Sequence, residues 1–266
     1  YKPARGGAWA SPREVMKMGL FDFLSKGKGE SKDGANPSKA SKEVARLSKL
    51  VGAKLAQNYD RQEAIEELAK MATSESTRAL LKRFDFTMEP SITDQEEKEA
   101  AARGIVAAGE GALEPIRDYC KKAESLTWPL KTLKDIVPAD SFCDELLAVL
   151  DLFDTEYVRN AEPKIQLIRM LEEFHTDDVR IAVEPFMTDA SEPVRFAAVT
   201  TVFAVGMSDS VPALVAALEE EESLRVKNRI SQGLSERSWS VPEELRGACG
   251  KALPPGFALD GDRVRA

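Results

Sequence analysis

Ser191-Glu192-Pro193-Val194-Arg195 decides how this chain reads, because variants of it stand on either side. Ala161-Glu162-Pro163-Lys164-Ile165 precedes it and Glu222-Ser223-Leu224-Arg225-Val226 follows. Each opens an apolar run at helical spacing, then a short polar turn, then a second helical run. Proline just inside a helix start fits, since the N–H it lacks would have no partner there. A period this short predicts stacked helical hairpins rather than one closed globule.

Outward from these copies the pattern continues toward the N-terminus. Unit starts fall near residues 60, 94, 126, 161, 191 and 222, a spacing of roughly 30 to 35 residues that lies within the range of repeat proteins. Val44, Leu47, Val51 and Leu55 predict a first amphipathic helix over 43–57. Asp60 with Glu63, Thr93 with Glu96, and Ser240 with Glu243 have the spacing of capping boxes. Thr176 is expected to cap a returning helix, and Pro185 to kink one. After Ala252, Leu253-Pro254-Pro255-Gly256 stops the last helix. Residues 257–265 alternate about an Asp-Gly step, which leaves a hairpin or an extended tail open.

Three parts are expected: a basic tail over 1–42, a helical repeat body over 43–252, and a C-terminal tail over 253–266. The tail holds nine lysines and arginines against four acids, and the remainder 28 against 41, so about +5 precedes about −13. An acidic body disfavours a nucleic-acid groove, which must neutralise phosphates. No apolar run approaches a membrane span, and no apolar leader segment is visible in the first residues. Cys120, Cys143 and Cys249 are distant, odd in number and outside any CxxC pattern. Free thiols in a reducing cytoplasm are therefore expected. One histidine and no cysteine pair argue against zinc; neither metal nor cofactor is expected.

Asp178-Val179-Arg180, followed by Asp189-Ala190-Ser191-Glu192-Pro193-Val194-Arg195-Phe196-Ala197-Ala198, resembles HEAT repeats, most closely the short bacterial form also found in phycobilin lyases. The match is good over 161–250 and weaker over 60–155, where the Pro-Val-Arg signature is missing. The resemblance implies an all-α, right-handed α-solenoid of HEAT or ARM type whose second helices line an inner, concave face. It implies no chemistry, because such repeats serve many unrelated functions.

The inner face is the main candidate site. By helical position Glu114, Arg117, Asp118, Asp144, Glu145, Asp151, Arg180 and Glu184 point away from the core. A mostly acidic set of this kind is expected to hold a protein or peptide partner with a basic segment. In the tail, Leu20, Phe21, Phe23 and Leu24, flanked by Lys26 and Lys28, form an apolar patch suited to a partner groove or an anionic membrane. His175 reads as a turn residue, the three thiols as core groups, and Trp128 and Trp239 as packing between hairpins. Glu219–Glu222 reads as a solvated turn. The expected role is a non-enzymatic scaffold with no catalytic residue. The alternative is an enzyme or enzyme accessory, similar to a phycobilin lyase or a HEAT-fold DNA glycosylase.

Overall fold

The computed structural model describes residues 39–266, and these are almost entirely helical. The apolar patch Leu20, Phe21, Phe23 and Leu24 lies outside the described residues. In chain order the helices are α1 (Lys39–Val51), α2 (Asn58–Met71), α3 (Ser74–Leu81), α4 (Ser91–Ala107), α5 (Leu113–Cys120), α6 (Thr127–Ile136) and α7 (Phe142–Leu150). They continue as α8 (Glu162–Met170), α9 (Asp177–Val183), α10 (Glu192–Val205), α11 (Val211–Glu220), α12 (Leu224–Arg237) and α13 (Arg246–Ala252). Two short strands follow, β1 (Ala258–Asp260) and β2 (Arg263–Arg265).

Helices two apart in the chain lie against each other. In one set α2 packs on α4, α4 on α6, α8 on α10 and α10 on α12. In the other, α3 packs on α5, α7 on α9 and α11 on α13. Buried apolar side chains from every helix join one cluster running from Leu47 to Val264. Leu68, Ile105, Leu133, Ile168, Val202 and Ile230 are fully buried in it, and each such side chain contributes about 1.5–3 kcal/mol relative to exposure. α12 approaches α10 closely enough that a Cβ on Gly233 would stand 2.3 Å from the Phe203 ring. Only glycine lets that ring lie flat against the helix.

Several local expectations are corrected. α1 stops at Val51, so Leu55 lies beyond the helix and is 97% exposed. Asp60 and Thr93 fall inside α2 and α4, which begin at Asn58 and Ser91 without a side-chain cap. The Ser240 hydroxyl donates to Asp262 at 2.6 Å instead of capping α13. Pro185 ends α9 rather than kinking it, and residues 184–188 form a tight 3₁₀ turn. Thr176 does cap α9, accepting from the Val179 N–H at 3.3 Å. Residues 258–265 form an antiparallel hairpin about Gly261, whose φ of +61° suits glycine. Val264 is buried, β2 packs on α12, and the Val241 N–H donates to the Asp262 carbonyl at 2.7 Å. The apolar residue of the alternating run thus draws this segment onto the body.

Buried charges tie neighbouring helices together. Lys164 on α8 donates to the Asp189 carboxylate at 2.8 Å and to the Glu156 carbonyl at 3.0 Å. Asp189 also accepts from the Ser191 N–H at 2.8 Å, just ahead of α10. Arg195 on α10 makes a similar arrangement further along the chain. It donates to both oxygens of Glu221 at 2.7 and 2.8 Å, and Glu221 accepts the Glu222 and Ser223 amides ahead of α12. In the first half Arg61 and Arg83, both fully buried, converge on Glu97 at 2.7 Å each. Arg83 and Lys98 also hold Asp94, at 2.7 and 2.8 Å. A cation on one helix and an acid within or just before a later helix therefore fix the separation of these helices.

Candidate binding surface

The candidate side chains lie on α5, α7 and α9 or just after α7: Glu114, Arg117 and Asp118 on α5, Asp144 and Glu145 on α7, Asp151 just past α7, and Arg180 on α9. Glu184 occupies the turn that follows α9. Arginines already engage most of the carboxylates. Arg117 grips Glu145 across the α5–α7 gap, with contacts of 2.6 and 3.0 Å. Arg78 on α3 lies 3.0 Å from Glu114 and 3.5 Å from Asp118. Arg180 holds Asp177 at 2.6 Å and Glu184 at 2.9 Å. Lys121 donates to Asp118 at 3.0 Å, which holds that carboxyl below its usual range.

Asp144 and Asp151 differ from the rest. Both are exposed, and neither has an ion-pair partner among the described residues. Asp178 on α9 shares this condition. Asp144 and Asp178 converge on Cys143. Burial first, then these two carboxylates, push its thiol above the ordinary value, against a hydrogen bond with Thr176. Asp178 lies outside the sequence-predicted set, yet its charge acts on the same thiol as that of Asp144.

The other candidates have structural employment. His175 Nδ1 lies 3.3 Å from the Val205 carbonyl, bridging to α10. Trp128 stacks on Phe84 and Trp239 on Phe203, each with centroids 5.6 Å apart. Cys120 and Cys249 are buried. Glu221 is not a solvated turn residue: it is buried, paired with Arg195, and caps the next helix start. No three His, Cys, Asp or Glu side chains among the described residues are grouped to hold a metal ion.

One feature had no sequence signal. A groove of about 880 Å³ runs between the Lys82–Thr87 segment and α5, walled by Leu81, Phe84, Pro115 and Tyr119. Its residues come from three segments that fold together, so no local pattern marks it. The Tyr119 hydroxyl donates to Asp85 at 2.8 Å and fixes one wall.

The sequence matches no protein-family model and no curated protein. Function must therefore be argued from the surface itself. None of the described helices is long and apolar enough to cross a membrane.

Proposed function

We propose that this chain is a non-catalytic, cytoplasmic binding module, a right-handed solenoid of HEAT-like hairpins that holds a basic protein segment on its α5–α7–α9 face. The packing of helices two apart supports the solenoid reading, as does proline at the starts of α8 and α10. Three free thiols support a reducing compartment.

The observation that carries the partner reading is the pairing pattern. Every arginine on this face is engaged by a carboxylate, while Asp144, Asp151 and Asp178 are not engaged. Unpaired exposed carboxylates on an acidic body steer cations toward this face. The test is a titration of the full chain with a lysine- and arginine-rich peptide, against the same peptide with glutamates in place of the cations. Asp144→Asn/Asp151→Asn/Asp178→Asn should weaken binding about tenfold, and binding should weaken further above about 0.15 M salt. Glu145 and Glu184 are left intact because removing them would release Arg117 and Arg180. Equal affinity of the substituted and original chains for the basic peptide would refute the assignment.

A further inference from the structure

The groove between the Lys82–Thr87 segment and α5 has the opposite character. Its walls are apolar and aromatic: Leu81, Phe84, Pro115 and Tyr119. Trp128 backs Phe84 through ring stacking, and Asp85 fixes Tyr119. The rim carries Lys54, Lys82 and Lys122, all exposed. None of the three has an ion-pair partner among the described residues. The nearby acids are largely occupied. Asp118 is held by Arg78 and Lys121, and Asp85 by Tyr119, which leaves Glu124 as the one rim carboxylate without a side-chain partner among the described residues. Three lysines without ion-pair partners thus face two carboxylates without a cationic partner, Glu124 and Asp85, whose charge the neutral Tyr119 hydroxyl leaves in place, across an apolar trough.

We propose that this groove docks an acidic peptide segment that carries a bulky apolar side chain. The volume, about 880 Å³, lies in the range that encloses a ligand of several residues' bulk. The apolar walls offer burial to an aromatic or branched side chain, and the lysine rim offers attraction to flanking carboxylates. A single phosphate fits less well. Its preferred receptor is an arginine fork, and Arg78 is already engaged by Glu114 and Asp118. Lysines act as separate point charges and suit a chain bearing several carboxylates. The groove shares α5 with the basic-segment face but not the unpaired carboxylates that carry that reading, which lie on or just after α7 and on α9, and it selects the opposite sign.

The test is calorimetric titration of the full chain with the peptide Glu-Asp-Phe-Glu-Leu-Glu. Three comparison probes are the same peptide with alanine for its apolar residues, a version with lysines for its acids, and inorganic phosphate. The acidic peptide should bind, and the alanine version more weakly. Lys54→Glu/Lys122→Glu should weaken binding at least about tenfold, with Lys82→Gln/Lys122→Gln as a milder second variant giving a smaller loss. Asp144→Asn/Asp178→Asn should leave this binding unchanged, which separates it from the face on α7 and α9. Three results would overturn the proposal. These are absence of binding by the acidic peptide, undiminished binding by folded lysine variants, and displacement of the peptide by an equal concentration of phosphate.

Discussion

Asp189 offers the sharpest test of how α8 is joined to α10. Its carboxylate accepts from Lys164 Nζ and from the Ser191 amide, each at 2.8 Å, and its carbonyl accepts from Arg195 at 3.0 Å. Lys164 and Asp189 are each only 1% exposed. Asp189→Ala leaves the Lys164 ammonium buried with the Glu156 carbonyl as its remaining partner. Removing one member of a buried ion pair costs about 3–5 kcal/mol. In a folded unit of this size that lowers the melting temperature by roughly 10 °C. Lys164→Met alone strands the carboxylate and should cost a similar amount. The double substitution removes both charges and should cost less than the sum of the two, by up to about 3 kcal/mol. Urea unfolding followed by helical circular dichroism measures all three. A cost under about 1 kcal/mol for Asp189→Ala, or strict additivity in the double variant, would show that the pair is not what fastens α8 to α10.

Two further outcomes follow from the titrating groups. Burial alone would raise the carboxyls of Glu221 and Asp94, yet both are lowered, because hydrogen bonds from Arg195 and the Ser223 amide at Glu221, and from Lys98 and Arg83 at Asp94, outweigh it. Their stabilisation is therefore complete above the ordinary carboxylate range near about 4 and is lost as pH falls through the lowered folded values. Stability measured from pH 6 downward should decline, and Glu221→Gln should flatten part of that decline; an unchanged slope would contradict the sign. Among the thiols, burial pushes Cys120 up to about 12, and Cys143 is the only one not fully enclosed. Mass spectrometry after brief alkylation of the folded chain should find Cys143 modified first and Cys120 only on unfolding; early modification of Cys120 would sink this account.

Helix placement was legible because it depends on spacing along one segment. The starts at Pro163 and Pro193 and the Thr176 cap all lie within a turn of what they control. Three other capping patterns failed for a physical reason. The Asp60–Glu63 and Thr93–Glu96 pairs fall inside helices that begin two residues earlier, and the Ser240 hydroxyl meets Asp262, a partner 22 residues away. Leu55 keeps the apolar period of α1, but the chain leaves the helix at Val51 and carries Leu55 into solvent. No local pattern marks Arg61, Arg83 and Lys164 as buried, since the carboxylates that hold them, Glu97 and Asp189, come from other parts of the chain. The candidate face met the same limit. That Arg117 neutralises Glu145, 28 residues on, depends on α5 lying near α7. The grouping of Asp144 with Asp178, and the groove beside Tyr119, likewise exist only once the helices have packed.

The hairpin over 258–265 has a consequence for self-association. A layer built by laying each helix on the one before always leaves the last member with an apolar side open. A second copy offers a matching surface, so an array of this kind carries an invitation to add end on end without limit. Here β2 lies on α12 with Val264 in the core, and β1 lies on α13. A two-stranded ribbon has a different periodicity from a helix and presents charged Arg263 and Arg265 outward, so a further helix finds no ridge to continue. Eight residues of strand and turn thereby cover that edge, and a chain lacking them is expected to lose solubility before it loses helical content.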